Sequence, residues 1–399
     1  MDKKDKLSFY EVYPHNSNGV DVSLDMAHSP FKLLAHQELL KRFVRGEKIN
    51  PIHLRVGLTN KCNLRCNFCN FHSDKEKNFY DEFNYKDSLE KELAEKFFAE
   101  FAQNGGKAVT FCGSGECTIH PDYVEICNIC HDNGLEIGLI TNGSMLINDE
   151  LSECISKTHT WVRIGMNAGS RENYERITHT DKENFDHMLN AVNKIRQKSV
   201  SSEFRIGMNF VITLENYHEI VCATKLCKAA NSHYIRFEPE FYTGLAHKTI
   251  ASKLSEIKKA LEKAKKKETA VFEVSVPKLD RGEMTNTDKV EGDFSKCYYC
   301  NFVTALGADG YMYPCPQIHL NSEYRYGKAI EIGYKKWAET GEKEKWSVLN
   351  GDRRAKCKTC YYRPQNELLE WLKCGKLDLD QVLAEYKSNY KETLHKNFV

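Results

Sequence analysis

The sequence predicts an α/β chain, a partial (β/α)6 TIM-like barrel followed by a small C-terminal unit of β-hairpin and helices. Three observations carry this expectation. Between residues 54 and 240, strand-like apolar runs alternate with amphipathic helix-like stretches, and Gly, Asn or Asp punctuates the changes. Six such units can be counted, fewer than the eight of a closed barrel, so the sheet is expected to be open. Beyond residue 296 that rhythm gives way to cysteines around a short hairpin pattern.

Taken in order, residues 1–50 form an N-terminal extension with a polar, turn-rich lead. Leu33, Leu34, Gln37, Leu40, Lys41 and Val44 then fall at helical spacing until Gly46 stops them. Residues 51–245 are the barrel. Its strands are expected at Leu54–Leu58, Ala108–Cys112, Glu136–Thr141, Trp161–Met166, Phe204–Ile212 and His233–Glu238. Between the first two, Leu89, Leu93, Phe97 and Phe101 recur every four residues and Asn104-Gly105-Gly106 ends the helix. Residues 246–290 bridge to the next unit through a basic helix, Lys253–Lys267, and a strand-like run, Ala270–Val276. No aromatic residue interleaves with those lysines, so they read as a solvated face. In residues 291–365, Val303–Leu306 and Tyr311–Tyr313 flank the turn Ala308-Asp309-Gly310. Residues 366–399 are helical in pattern, with Leu368, Leu369, Leu372, Leu379, Val382 and Leu383 as the apolar positions.

Composition narrows the function classes. The chain has 399 residues, 41% of them hydrophobic, enough for a sizeable core. Lys+Arg (57) balances Asp+Glu (56), so nothing in the net charge of +1 points to nucleic acid or an anionic membrane. The first residues lack the apolar stretch of a signal peptide, and no run suits a membrane span, so the expected location is cytoplasmic. In such a reducing compartment sixteen cysteines speak for metal more than for disulfides. Cys127 and Cys130 are the exception, sitting on an apolar helix-like run as small buried side chains.

The chemistry centres on Cys62-Asn63-Leu64-Arg65-Cys66-Asn67-Phe68-Cys69, a C-x3-C-x2-C loop just past the first strand. Three thiolates so close can wrap one metal centre. On a 4Fe-4S cubane, which takes four ligands, they leave one iron open to a group that is not protein. With His72 the same residues also have the spacing of a CCCH zinc site.

The motif and its place after a first strand resemble the radical S-adenosylmethionine (radical SAM) superfamily. The resemblance implies that SAM chelates the open iron and is cleaved reductively to a 5'-deoxyadenosyl radical. Gly113-Ser114-Gly115-Glu116 resembles that family's Gly-Gly-Glu, with Ser114 where Gly is usual and Cys117 where Pro is usual. Thr141-Asn142-Gly143 matches a Thr-Asn-Gly, and Gly165-Met166-Asn167 stands where Ser-x-Asp is common. Phe68, Gly115, Glu116, Asn142 and Asn167 are thereby the cofactor-binding candidates. Downstream, Cys297-x12-Gly310-x4-Cys315 and Cys357-x2-Cys360 resemble the auxiliary-cluster domain called SPASM or its shortened relative, twitch. The implied ligands of one auxiliary 4Fe-4S cluster are Cys297, Cys315, Cys357 and Cys360, with Cys300 competing for the first place. Paired C-x2-C knuckles would equally suit a zinc ribbon.

Expected function is hydrogen abstraction from a small molecule, carbohydrate, aminoglycoside or nucleotide-like, ending in dehydrogenation or epimerisation. The segment Lys32–Pro51 looks like that small-molecule group. Arg236 and Glu238 are the acid–base candidates at the end of the sixth strand, or else a structural ion pair with each other. Cys117, or Cys112 beside it, is the candidate thiol to return a hydrogen atom, which would make the enzyme an epimerase. A reductant such as flavodoxin or ferredoxin is the expected partner. The competing readings are a peptide or protein maturase and a non-catalytic zinc-binding protein.

Overall fold

The computed structural model describes residues 31–73, 83–240, 250–276, 296–316, 318–343, 360, 362–389 and 394–399. Its strands are β1 (His53–Val56), β2 (Ala108–Phe111), β3 (Glu136–Thr141), β4 (His159–Gly165), β5 (Arg205–Ile212), β6 (Tyr234–Pro239), β7 (Glu273–Ser275), β8 (Val303–Leu306) and β9 (Met312–Tyr313). They form one nine-stranded sheet in the order β7-β6-β5-β4-β3-β2-β1-β8-β9. Every neighbouring pair is parallel except the β8–β9 hairpin. The ends do not meet, as expected of a partial barrel.

The sheet extends beyond the six barrel strands on both sides. The strand of the bridging segment, β7, continues the sheet beyond β6, with Tyr234 opposite Glu273. The hairpin continues it on the other side, because β8 lies parallel to β1 with His53 opposite Val303 and Val56 opposite Leu306. The β1–β8 attachment joins two buried apolar strands, with Leu54 and Val56 on one and Val303 and Leu306 on the other, which a lone hairpin could not cover. Asp309 fixes the turn between β8 and β9. Its Oδ1 accepts from the Tyr311 amide and its Oδ2 from the Tyr313 hydroxyl and Arg325, while Gly310 supplies a φ of 79°.

Alternation sets the two faces of the sheet. Leu54, Val56, Val109, Phe111, Ile137, Leu139, Val162, Ile164, Ile206, Met208, Ile235 and Phe237 point to the helical layer. There they meet Phe97, Phe98 and Phe101 of helix Lys91–Gln103, Ile126 of Tyr123–Asp132, Ile195 of Glu183–Lys198 and Ala223 of Ile220–Ala229. Each fully buried side chain of this size contributes roughly 1.5–3 kcal/mol. The opposite face is the barrel interior. Its floor is aromatic, and two glycines make room for it. A Cβ on Gly138 would lie 2.4 Å from the Trp161 ring, and one on Gly207 would lie 2.3 Å from the Tyr234 ring.

The bottom of the barrel is closed by both ends of the described chain. Phe398 packs with Ala108 and Trp161, Lys32 Nζ donates to the Phe398 carbonyl, and His53 Nδ1 pairs with the Val399 carbonyl. The N-terminal helical stretch is interrupted after Leu34 and resumes as Gln37–Arg45, ending at the left-handed Gly46. Leu33, Leu40 and Phe43 share a second core with Phe302, Leu368, Leu372 and Val382, so the extension packs on the C-terminal helices. Among the described residues no helix is long and apolar enough to cross a membrane.

Candidate functional site

At the C-terminal ends of β1 to β3 the loops are locked to one another through the backbone. The Arg65 and Asn67 amides of the cysteine loop donate to the carbonyls of Thr178 and Ile177, each at 2.9 Å, which ties the loop to the end of helix Arg171–Thr178. Asn67 adds a side-chain bond to Glu215 at 2.9 Å, and the Tyr85 hydroxyl donates to the Cys62 carbonyl at 3.3 Å. From the other side comes the glycine loop after β2, where the Glu116 amide donates to the Lys61 carbonyl at 2.8 Å. Gly115 sits so close that a Cβ there would lie 2.3 Å from the carbonyl oxygens of both Thr59 and Lys61. Only glycine permits this approach.

Cys62, Cys66 and Cys69 are half-buried on this platform. Burial pushes the Cys62 thiol up to about 11. It also raises the Cys66 thiol, and the neighbouring Cys69 and Cys62 add to that rise, so the three sulfurs are within electrostatic reach of one another. Such thiols become thiolates when positive metal supplies the missing countercharge. His72 does not join them. Its Nε2 bonds the Ser114 carbonyl at 2.8 Å and its Nδ1 faces Arg65 at 3.4 Å. Among the described residues no three His, Cys, Asp or Glu side chains converge on the position of a single ion. Each cysteine of a cubane takes a different iron, so the three thiols of this loop fit a cluster with one open corner.

The cofactor-binding candidates ring this platform. Glu116 is buried; its Oε1 accepts from the Thr118 amide and from the hydroxyls of Thr118 and Thr141. Its Oε2 accepts from the Asn142 amide at 2.6 Å. The carboxylate thus staples the loop after β2 to the loop after β3, and Oε2 retains acceptor capacity. Asn142 extends the staple, donating to Asn63 Oδ1 at 2.8 Å with its Nδ2 4.0 Å from Cys62 Sγ. Asn167 takes a positive φ of 53°, and its Oδ1 accepts from the Val211 amide at 2.9 Å, joining the ends of β4 and β5. Phe68 is half-buried within the cysteine loop.

Cys117 lies elsewhere: it is buried in the core and its Sγ is directed at the Val56 carbonyl, 3.8 Å away. The geometry does not present this thiol to the barrel. Cys112, on the inner face past β2, does face it and lies 4.0 Å from Arg55 Nη1. Arg236 and Glu238 also face inward, as a 2.5 Å ion pair with each other.

In the second cysteine group, Cys297, Cys300 and Cys315 come within electrostatic reach of one another, with the Cys300 Sγ 3.0 Å from the Cys297 carbonyl. Cys360 joins them through Asn366, whose Nδ2 is 4.0 Å from its sulfur and whose Oδ1 accepts from the Tyr299 amide. Cys357 lies outside the described residues.

Two inward residues, Arg55 and Arg163, are absent from the expectations above. The signal was there in His-Leu-Arg-Val and Trp-Val-Arg-Ile, where one arginine interrupts an otherwise apolar strand. Neither sequence shows which face the arginine takes.

The family profile described as the Radical SAM superfamily matches residues 56–225. A tungsten-containing aldehyde ferredoxin oxidoreductase cofactor-modifying protein of Pyrococcus furiosus is 27% identical over 170 residues, covering 42% of this chain and 46% of that protein. The chain thus spans about half the length of that curated relative. A GTP 3',8-cyclase of Campylobacter jejuni is 24% identical over 324 residues, covering 77% of this chain and 95% of the relative. Among solved structures, Streptococcus suis SuiB bound to S-adenosylmethionine superposes with a TM-score of 0.55 at 14% identity, over 79% of this chain and 72% of that one. This likeness concerns the fold.

Proposed function

We propose, from the match of residues 56–225 to the radical SAM superfamily profile, that the chain reductively cleaves SAM and abstracts a hydrogen atom from a small molecule held inside the barrel. Cys62, Cys66 and Cys69 would hold a 4Fe-4S cluster, and Cys297, Cys315, Cys357 and Cys360 a second one. When bound, the first supplies the electron, drawn from a flavodoxin or ferredoxin, that splits SAM into methionine and the 5'-deoxyadenosyl radical, and the second can accept an electron from a substrate radical. The observation that carries this reading is the three-thiol loop pinned against Gly115 at the mouth of the barrel.

The chain's own residues do the positioning. Glu116 and Asn142 hold the β2 and β3 loops against the cysteine loop, so that the cluster ligands are fixed before cofactor arrives. Glu116 Oε2 is the acceptor left for the SAM ammonium, and Asn167 Nδ2 is the donor left for a hydroxyl. In a dehydrogenation the bound SAM would supply the hydrogen-abstracting group and the second cluster would take the remaining electron, and the Glu238 carboxylate, inside the barrel, would accept the proton. Burial of Cys117 favours this outcome over epimerisation, for which Cys112 is the thiol that faces the interior.

The test is anaerobic reconstitution with dithionite and SAM. Wild type should release 5'-deoxyadenosine, and replacing Cys62, Cys66 and Cys69 together by Ala should abolish it while the second cluster's absorbance persists. Undiminished cleavage by the triple variant would end the reading.

A further inference from the structure

Among the described residues, Arg55 and Arg163 face the barrel interior without an acidic partner. Arg163, on the inner face of β4, makes no ion pair or hydrogen bond among the described residues. Its guanidinium lies over the Trp161 ring at 5.5 Å, and its buried Nε has no partner. Arg55, on the inner face of β1, contacts Cys112 and hydrogen-bonds the Tyr362 side chain, yet its own buried Nε is also without a partner. Lys32 sits close enough to both arginines to feel their charge. Nearby acids are already committed. Glu238 pairs with Arg236, and Glu136 accepts from Asn397.

A buried guanidinium with unused N–H groups is costly unless a ligand meets it, and its planar fork matches phosphate and carboxylate oxygens. A second orphan points the same way. Asn209, on the inner face of β5 and opposite Arg236 of β6, has a buried Oδ1 with no hydrogen-bond donor. A carbonyl oxygen cannot be satisfied by an anion, but a hydroxyl group satisfies it.

We infer that the barrel binds an anionic, hydroxyl-bearing substrate, a phosphorylated or carboxylated sugar or nucleotide, with Arg163 and Arg55 on its anionic group and Asn209 on a hydroxyl. This deepens the function proposed above, on which its reading as a substrate site rests, and concerns the same inner face of the sheet. It separates the candidate substrate classes, because a polycationic aminoglycoside would place ammonium groups against arginines and is disfavoured.

The test needs no turnover. The full chain is prepared anaerobically without SAM, and thermal unfolding is followed in inorganic phosphate, sodium acetate or glucose at ionic strength matched with chloride. Phosphate, or acetate if the anion is a carboxylate, should raise Tm saturably, as a ligand of the folded state does. Glucose alone should not. Arg163→Gln should weaken the anion's apparent affinity about tenfold to a hundredfold, the worth of one charge-assisted contact. Arg163→Lys, which keeps the charge but not the fork, should fall between and serves if the glutamine variant does not fold. Absence of saturable stabilisation, or equal stabilisation of wild type and both variants, would overturn the inference. SAM cleavage by wild type is measured separately. Anion binding without cleavage would remove the proposed function and leave this inference standing, and cleavage without anion binding would do the reverse.

Discussion

Tyr299 and Tyr362 stack face to face, with ring centroids 4.2 Å apart and planes 22° from parallel. The pair lies between Arg55 of the barrel and the second cysteine group. Arg55 of the barrel interior reaches Tyr362 on one side, and Cys315 and Cys360 lie within electrostatic reach of Tyr299 on the other. Replacing Tyr362 by Ala should cost about 3–5 kcal/mol through the lost ring, whereas Phe should cost about 1 kcal/mol through the lost hydroxyl. Urea unfolding of the two variants measures both. Equal losses would mean that the stack contributes little.

Gly115→Ala is expected to break the platform without touching a ligand. The added Cβ would need room now occupied by two carbonyl oxygens, at 2.3 Å from each, so the loops must separate. Iron content should fall by about four atoms per chain, one cubane, and 5'-deoxyadenosine formation should fall with it. Full iron loading and wild-type cleavage would show that the loops do not need this contact.

Glu116→Gln tests the carboxylate staple. An amide turns one acceptor into a donor and sets it against either the Asn142 amide or the threonine donors. The loss of charge-assisted bonds in a buried site should destabilise by about 2–4 kcal/mol, readable as a lower urea midpoint at unchanged m-value. A shift below about 0.5 kcal/mol, the usual effect of a surface change, would contradict the staple.

Lys32 supplies a pH signature. Burial, then Arg163, then Arg55 push its amino group down from 10.5 to about 7. The folded chain therefore binds fewer protons than the unfolded chain between about 7 and 10.5, and stability should rise with pH across that window. The penalty is fully present below it. The slope from one such group is up to about 1.4 kcal/mol per pH unit. Chemical unfolding of wild type and Lys32→Met from neutral to alkaline pH should give a difference that grows in favour of wild type. Parallel curves would show that Lys32 titrates as an ordinary lysine.

Local pattern determined much of this protein. Apolar alternation placed β3 at Glu136–Thr141 as found, and it placed the cysteine and glycine loops at strand ends where a barrel gathers its chemistry. The helix stop at Asn104-Gly105-Gly106 and the hairpin turn at Gly310 were equally legible, since each depends on residues a few positions apart. Tertiary structure decided what depends on distant partners. Strand β8 has the same composition whether it forms a separate hairpin or pairs with β1, and only the buried edge of His53–Val56 makes the second arrangement better. Which face an arginine or a thiol takes depends on register, and a shift of one residue exchanges the faces. That register puts Arg55, Arg163 and Asn209 on one face of the sheet and sends Cys117 into the core. Glu116 likewise needed Thr141 and Asn142 brought over from another strand before its carboxylate had anything to hold.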